Sequence, residues 1–150
     1  MAAGTFTLFS KNKNNLNMVA ASGATLKIAL ITSAWTPDSS VTGNSIFADM
    51  SANEISTAGG YTAGGQTLAS VTVSTIAGGY KITSASPTWT ASGGSIDAWR
   101  YAVIYVSGTL WGLTDPALGY FLGDTTPANI PATSGTLTIT ANASGWWDVT

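Results

Sequence analysis

The sequence predicts a mainly β chain, an antiparallel β-sandwich or barrel over residues 25–150, with an N-terminal arm or short helix over 1–24. Three observations lead there. Residues 97–106, Asp-Ala-Trp-Arg-Tyr-Ala-Val-Ile-Tyr-Val, mix aromatic and β-branched side chains and are largely apolar on both faces. That composition suits a strand covered on both sides, in the middle of a sheet. Glycine pairs at Gly59-Gly60, Gly64-Gly65, Gly78-Gly79 and Gly93-Gly94 separate short alternating runs, and short strands with regular turn signals indicate a sandwich or barrel. Finally, 150 residues make one domain. A chain of that size buries roughly 70% of its unfolded surface and needs no metal or disulfide to hold it.

Taken in order, residues 1–9 form a small-residue tail that ends in Phe6, Leu8 and Phe9. Ser10 is an N-cap candidate for a short helix over 11–20 ending near Gly23, with Leu16, Val19 and Ala20 on one face. Asn12, Asn14, Asn15 and Asn17 work against it, since Asn is a poor helix former. Residues 25–32 read as a strand with Leu26, Ile28 and Leu30 toward the core and Lys27, Ala29 and Ile31 away from it. The chain turns over 33–40, where Thr36-Pro37 disfavours helix. Phe47 and Met50, three apart, suit a helical turn slightly better than a strand.

Further strands are expected over 66–68, 71–76, 80–83, 88–90, 97–106, 110–113, 118–122, 136–140 and 146–149. The loop over 123–134, with Pro127 and Pro131, is placed to carry a crossover between sheets. Alternation in the central strand puts Trp99, Tyr101, Val103 and Tyr105 on one face and Ala98, Arg100, Ala102, Ile104 and Val106 on the other.

Charged residues make up 8% of the chain, against about 25% in an ordinary soluble domain. Such a surface resists self-association weakly and desolvates cheaply, which favours an outside that lies against other protein. The net charge of −2 and five cations argue against nucleic acid as a partner. No run of about 18 apolar residues exists to cross a membrane. The N-terminus lacks the order positive, apolar, small of a secretory signal, so synthesis in the cytoplasm is expected. Histidine and cysteine are both absent, which removes the commonest general base, the commonest metal ligand and all thiol chemistry.

The stretch Gly59-Gly-Tyr-Thr-Ala-Gly-Gly65 superficially resembles a phosphate loop. It lacks the Gly-Lys-Ser/Thr that would follow, so tight turns or close backbone approach explain it better. The seven carboxylates are dispersed, and several sit beside turn residues where Asp binds its own backbone. They form neither a glycosidase pair nor a calcium loop by sequence. The expectation is a protein without catalytic, cofactor or metal residues.

Six tryptophans and five tyrosines remain to be placed. They suit either a sugar-stacking platform or core and subunit interface, and interface is favoured. Trp99 and one of Trp146 and Trp147 belong to the core by alternation. Phe6, Phe9, Trp35, Trp111 and Trp147 are the interface candidates. Arg100, the sole arginine, is expected to form a structural ion pair with Glu54, or with Asp49, because an unpaired buried charge is very costly.

The series Asn53-Glu-Ile, Gly60-Tyr-Thr-Ala-Gly-Gly-Gln-Thr-Leu68, Trp89-Thr-Ala-Ser92, Arg100-Tyr-Ala-Val-Ile-Tyr105, Gly119-Tyr120 and Gly135-Thr-Leu-Thr-Ile139 resembles a family of small tailed-bacteriophage virion proteins, from about residue 25 to the C-terminus. Small phage proteins of this kind are similar to capsid cement or decoration proteins, which bridge capsomers with a β-sandwich, often a jelly roll. The resemblance implies a jelly-roll-like antiparallel β-sandwich and a virion structural protein on the capsid surface, made in the host cytoplasm. It would bind the major capsid protein and itself, as a dimer or trimer, with no cofactor. The Asn-rich segment 11–17 departs from the more apolar start of such proteins. Two rivals stand beside this reading: a tail-fibre or spike component that binds host glycans through exposed aromatics, and a glycan hydrolase using a carboxylate pair.

Overall fold

The structure, a computed structural model, describes residues 4–13, 23–123 and 129–149. Its elements run β1 (Thr7–Leu8), α1 (Ser10–Lys13), β2 (Leu26–Ile31), 3-10 turns at Phe47–Asp49 and Ser51–Asn53, β3 (Gln66–Thr67), β4 (Thr72–Ile76) and β5 (Gly79–Thr83). There follow β6 (Thr88–Thr90), β7 (Tyr101–Val106), β8 (Thr109–Leu110), β9 (Leu113–Thr114), β10 (Ala117–Leu122), β11 (Thr136–Thr138) and β12 (Trp147–Val149). The fold is mainly β, and among the described residues every strand pairing is antiparallel.

A five-stranded sheet in the order β1-β10-β7-β2-β3 is the centre of the molecule. The strand expected over 97–106 is its middle member, and β7 pairs along its whole length with β2, from Leu26↔Val106 to Ile31↔Tyr101. One face of this sheet carries Leu26, Ile28, Leu30, Ala102, Ile104 and Val106, in a core shared with residues of the smaller sheets β12-β5-β4 and β11-β6. The opposite face carries Ala29, Ile31, Val103 and Tyr105 and is covered by Phe9, Trp35, Phe47 and Met50. Both faces are therefore dry, which is why neither central strand shows a polar side.

Four expectations need correction. Trp99 shares the core of Ala102 and Ile104 instead of the face of Tyr101 and Val103. The chain bends at Arg100, so β7 begins only at Tyr101 and the alternation restarts there. The strand expected over 110–113 is a hairpin, with β8 and β9 pairing as Leu110↔Leu113 around Trp111-Gly112. The N-terminal strand β1 was not foreseen. Ser10 is the first residue of α1, not a cap before it, and the remainder of the helix expected over 11–20 lies outside the described residues. Phe47–Asp49 forms the helical turn that the Phe47/Met50 spacing indicated. The 123–134 loop does lead from the central sheet to the small one, although 124–128 lie outside the described residues.

Candidate functional site

Four of the five interface candidates come together along the β10 edge of the central sheet, where the N-terminal arm docks. The arm pairs as Thr7↔Tyr120 and Leu8↔Gly119, and the Phe9 N–H extends the ladder to the Leu118 carbonyl at 3.1 Å. Phe6 crosses Gly119 and stacks on Trp147, with centroids 5.0 Å apart and planes 17° apart. A Cβ on Gly119 would stand 2.4 Å from the Phe6 ring, so the glycine is what makes the seat deep enough. Phe9 enters the second core edge-on to Trp35 at 6.2 Å and against Tyr120 at 5.6 Å. Trp35 in turn meets Tyr101 and Tyr120 edge-on, the arrangement that aromatic quadrupoles favour.

The far end of the arm is pinned by polar contacts. The Ser10 N–H donates to the Ser39 carbonyl. Asn12 is buried, and its Nδ2 donates to the carbonyls of Ser45 and Ala117, each at 2.7 Å. Its Oδ1 is buried without a hydrogen-bond partner. Beside the arm lies a cleft of about 230 Å³ lined by Thr5, Phe6, Leu8, Trp147 and Asp148.

These positions overturn the expectation of free aromatic anchors. Phe9, Trp35 and Trp147 are 0%, 4% and 4% exposed, so none offers a surface to a partner while the arm is seated. Trp146 precedes β12, Trp147 begins it, and both are buried in the main core. Trp146 stacks on Phe121 and its Nε1 donates to Ser84 Oγ at 2.8 Å. Trp111 alone is away from the arm. It is half-buried against the main core, at φ 54° beside Gly112 at φ 75°. Two successive positive φ values are what a two-residue hairpin turn requires, and a tryptophan there is held by packing against its own backbone preference.

The expected Arg100–Glu54 ion pair does not form. Arg100 lies over the Tyr101 ring, 5.4 Å from its centroid, and its Nε donates to the Tyr101 hydroxyl at 3.2 Å. Glu54 Oε1 instead accepts from the Tyr61 hydroxyl and from the Gly64 N–H at 2.7 Å. The two residues flank opposite edges of the end of β2. The Arg100 N–H bonds the Ile31 carbonyl on the β7 side, while Asn53 and Ile55 bond Thr32 and Leu30 on the other.

Glu54 belongs to a hydrogen-bonded chain that the sequence reading missed. The Leu30 N–H donates to the Tyr61 hydroxyl at 3.0 Å, that hydroxyl donates to Glu54, and the Tyr105 hydroxyl donates to the Gly64 carbonyl at 2.7 Å. Burial first, and the Glu54 hydrogen bond second, push the Tyr61 phenol well above its ordinary pKa. Burial and then the Glu54 charge do the same to Tyr105. The glycine loop is thus strapped to the sheet, and Gly65, at φ 67°, lies where a Cβ would stand 2.0 Å from the Ile28 carbonyl oxygen. A tyrosine between glycine pairs, seven residues after a glutamate, was the available signal.

Between this loop and β6 runs a second cleft of about 230 Å³, lined by Thr62, Gln66, Thr88, Trp89 and Thr90. Gln66 Oε1 is buried there with no hydrogen-bond partner. Three carboxylates serve local turns, as Asp in turns commonly does. Asp38 accepts from Ser40, Asp49 from Ser45 and Ile46, and Asp115 from Gly108. The Ser40 hydrogen bonds hold the exposed Asp38 carboxyl below its ordinary pKa. Among the described residues, no three His, Cys, Asp or Glu side chains gather as a metal site, and no helix is long and apolar enough to cross a membrane. No family model, curated protein or solved structure matches the chain.

Proposed function

We propose that this chain is a virion structural protein of a tailed bacteriophage, a capsid cement or decoration protein. In this reading it binds the major capsid protein on the head surface as a dimer or trimer. The two cores on either side of the central sheet are read as the layers of a jelly-roll-like sandwich. The observation that carries the proposal is the outer edge of the sheet β12-β5-β4. Strand β4, Thr-Val-Ser-Thr-Ile, lies at that edge with Thr72, Ser74 and Thr75 exposed, and it holds no charge, proline or glycine. Natural edges are usually blunted by such features, and an unblunted one is a template for strand addition. The Thr72 and Thr83 hydroxyls pair across β4 and β5, and the nearest charges, Lys81 and Asp148, stand on β5 and β12, inward of the edge strand.

The glycan-binding alternative has less support. Among the described residues the large hydrophobics that stand exposed are Val41 and Tyr80, so no aromatic platform faces solvent.

The test is binding to purified capsid shells, expanded and unexpanded. The β4–β5 hairpin closes on Ile76↔Gly79, so every second residue bonds β5 and the Thr75 N–H points outward. Thr75→Pro should keep the folding stability within about 1 kcal/mol, because that N–H serves no ladder bond, and should lower shell occupancy at least tenfold. Wild-type protein that decorates no shell, or that labels only tails, would refute the proposal.

A further inference from the structure

We infer that the arm seat on β10 is an exchange site, filled in the assembled protein by residues 4–13 of a second copy of this chain. The inference concerns contacts between copies and does not depend on the virion reading.

Everything the seat recognises comes from one short segment. Phe6 fits over Gly119 against Trp147, β1 supplies the edge ladder of β10, and Phe9 fills the space bounded by Trp35 and Tyr120. Asn12 then ties to the backbone of Ser45 and Ala117. None of these contacts depends on which copy donates the segment, so an exchanged arm makes the same bonds as a resident one. This is the condition under which exchanging an identical element gives an oligomer at low cost.

Reach and electrostatics both permit it. Nine residues, 14–22, lie between the described arm and the body, and that many span about 30 Å when extended. A chain of this length folds to a radius of gyration of about 15 Å, so the arm can cross to a neighbour's seat. A net charge of −2 offers little repulsion between copies.

The specificity of the seat also says what it will not take. A vacated seat exposes the β10 edge and the faces of Trp35, Tyr120 and Trp147, an apolar groove with two backbone carbonyls waiting at Ser45 and Ala117 for one amide side chain. An arm of this same sequence meets all of these together. The buried, unpartnered Asn12 Oδ1 identifies the position as one that binds Nδ2 alone, so the substitution Asn12→Asp would place a carboxylate against two carbonyls.

The chain has no cysteine, so introduced pairs can be read without background. Thr7→Cys with Tyr120→Cys joins residues in direct register. Ser10→Cys with Ser39→Cys is a second pair of small substitutions across a backbone hydrogen bond, and it keeps the test decisive if replacing Tyr120 costs folding. Under oxidising conditions the expected result is a covalent dimer or larger closed oligomer on a non-reducing gel, collapsed to monomer by reductant. A folded double variant that yields only monomer with an internal disulfide would overturn the inference.

Discussion

Tyr61→Phe isolates the hydroxyl on which the glycine loop depends. The ring stays, so its packing against Trp89, with centroids 6.1 Å apart, is unchanged. Two hydrogen bonds go. The Leu30 N–H, on a residue that is 0% exposed, loses its acceptor, and a buried donor left unsatisfied costs about 1–3 kcal/mol. Glu54 loses a charge-assisted bond worth about 1.5–3 kcal/mol in full. The half-buried carboxylate keeps the Gly64 N–H and some water, so about 1 kcal/mol is the appropriate share. The sum is about 3 kcal/mol, read as a lower urea midpoint at unchanged m-value. Glu54→Gln tests the partnership. In a double-mutant cycle the two substitutions should couple by about 1 kcal/mol, as contacting residues do. A loss under about 1 kcal/mol, or strict additivity, would refute the account of the strap.

Two further outcomes follow from the same region and its glycines. The Tyr61 and Tyr105 phenols hold their protons to higher pH in the folded state than the ordinary value of 10.0. Above about pH 10 the unfolded chain therefore binds fewer protons, and stability present in full below that pH falls as pH rises, by up to about 1.4 kcal/mol per pH unit for each group. Urea midpoints between about pH 9 and pH 11.5 should show this slope, and Tyr61→Phe should make it shallower; a flat profile would contradict the burial of both hydroxyls. Gly78→Ala and Gly65→Ala share positive φ but not surroundings, since a Cβ at Gly78 meets nothing within 4 Å and one at Gly65 meets the Ile28 carbonyl at 2.0 Å. Thermal unfolding should place the first near about 1 kcal/mol of left-handed backbone cost and the second beyond about 3 kcal/mol, because backbone must move; equal losses would mean the loop does not press on β2.

Much of this framework was legible because alternation reports faces faithfully within a straight strand. Leu26, Ile28 and Leu30 do share a core, and Lys27 does point from it. The same rule failed at Trp99, where a bend one residue later resets the phase. It gave no guide to Trp147, because a face assignment carries no information on whether that face is covered, and none to Trp35, which lies in a turn. The hairpin at Trp111-Gly112 was hidden by its chemistry, for a tryptophan is not a residue that a turn with positive φ selects. The Arg100–Glu54 pairing failed for a different reason. Charge counting matched two formal charges and overlooked that a tyrosine hydroxyl and a backbone amide satisfy a carboxylate equally well. Strand β1 could not be read from two residues, Thr7 and Leu8, whose pairing partner lies far along the chain.

That distance has a consequence during synthesis. Asn12 and the Ala117 carbonyl that it binds are 105 positions apart, and translation adds residues at about 5–20 per second. Asn12 therefore leaves the ribosome some 5–20 s before the carbonyl it binds. In that interval Phe6 and Phe9 have no home in the same chain, because the Tyr120 and Trp147 rings that later pack against them are not yet made.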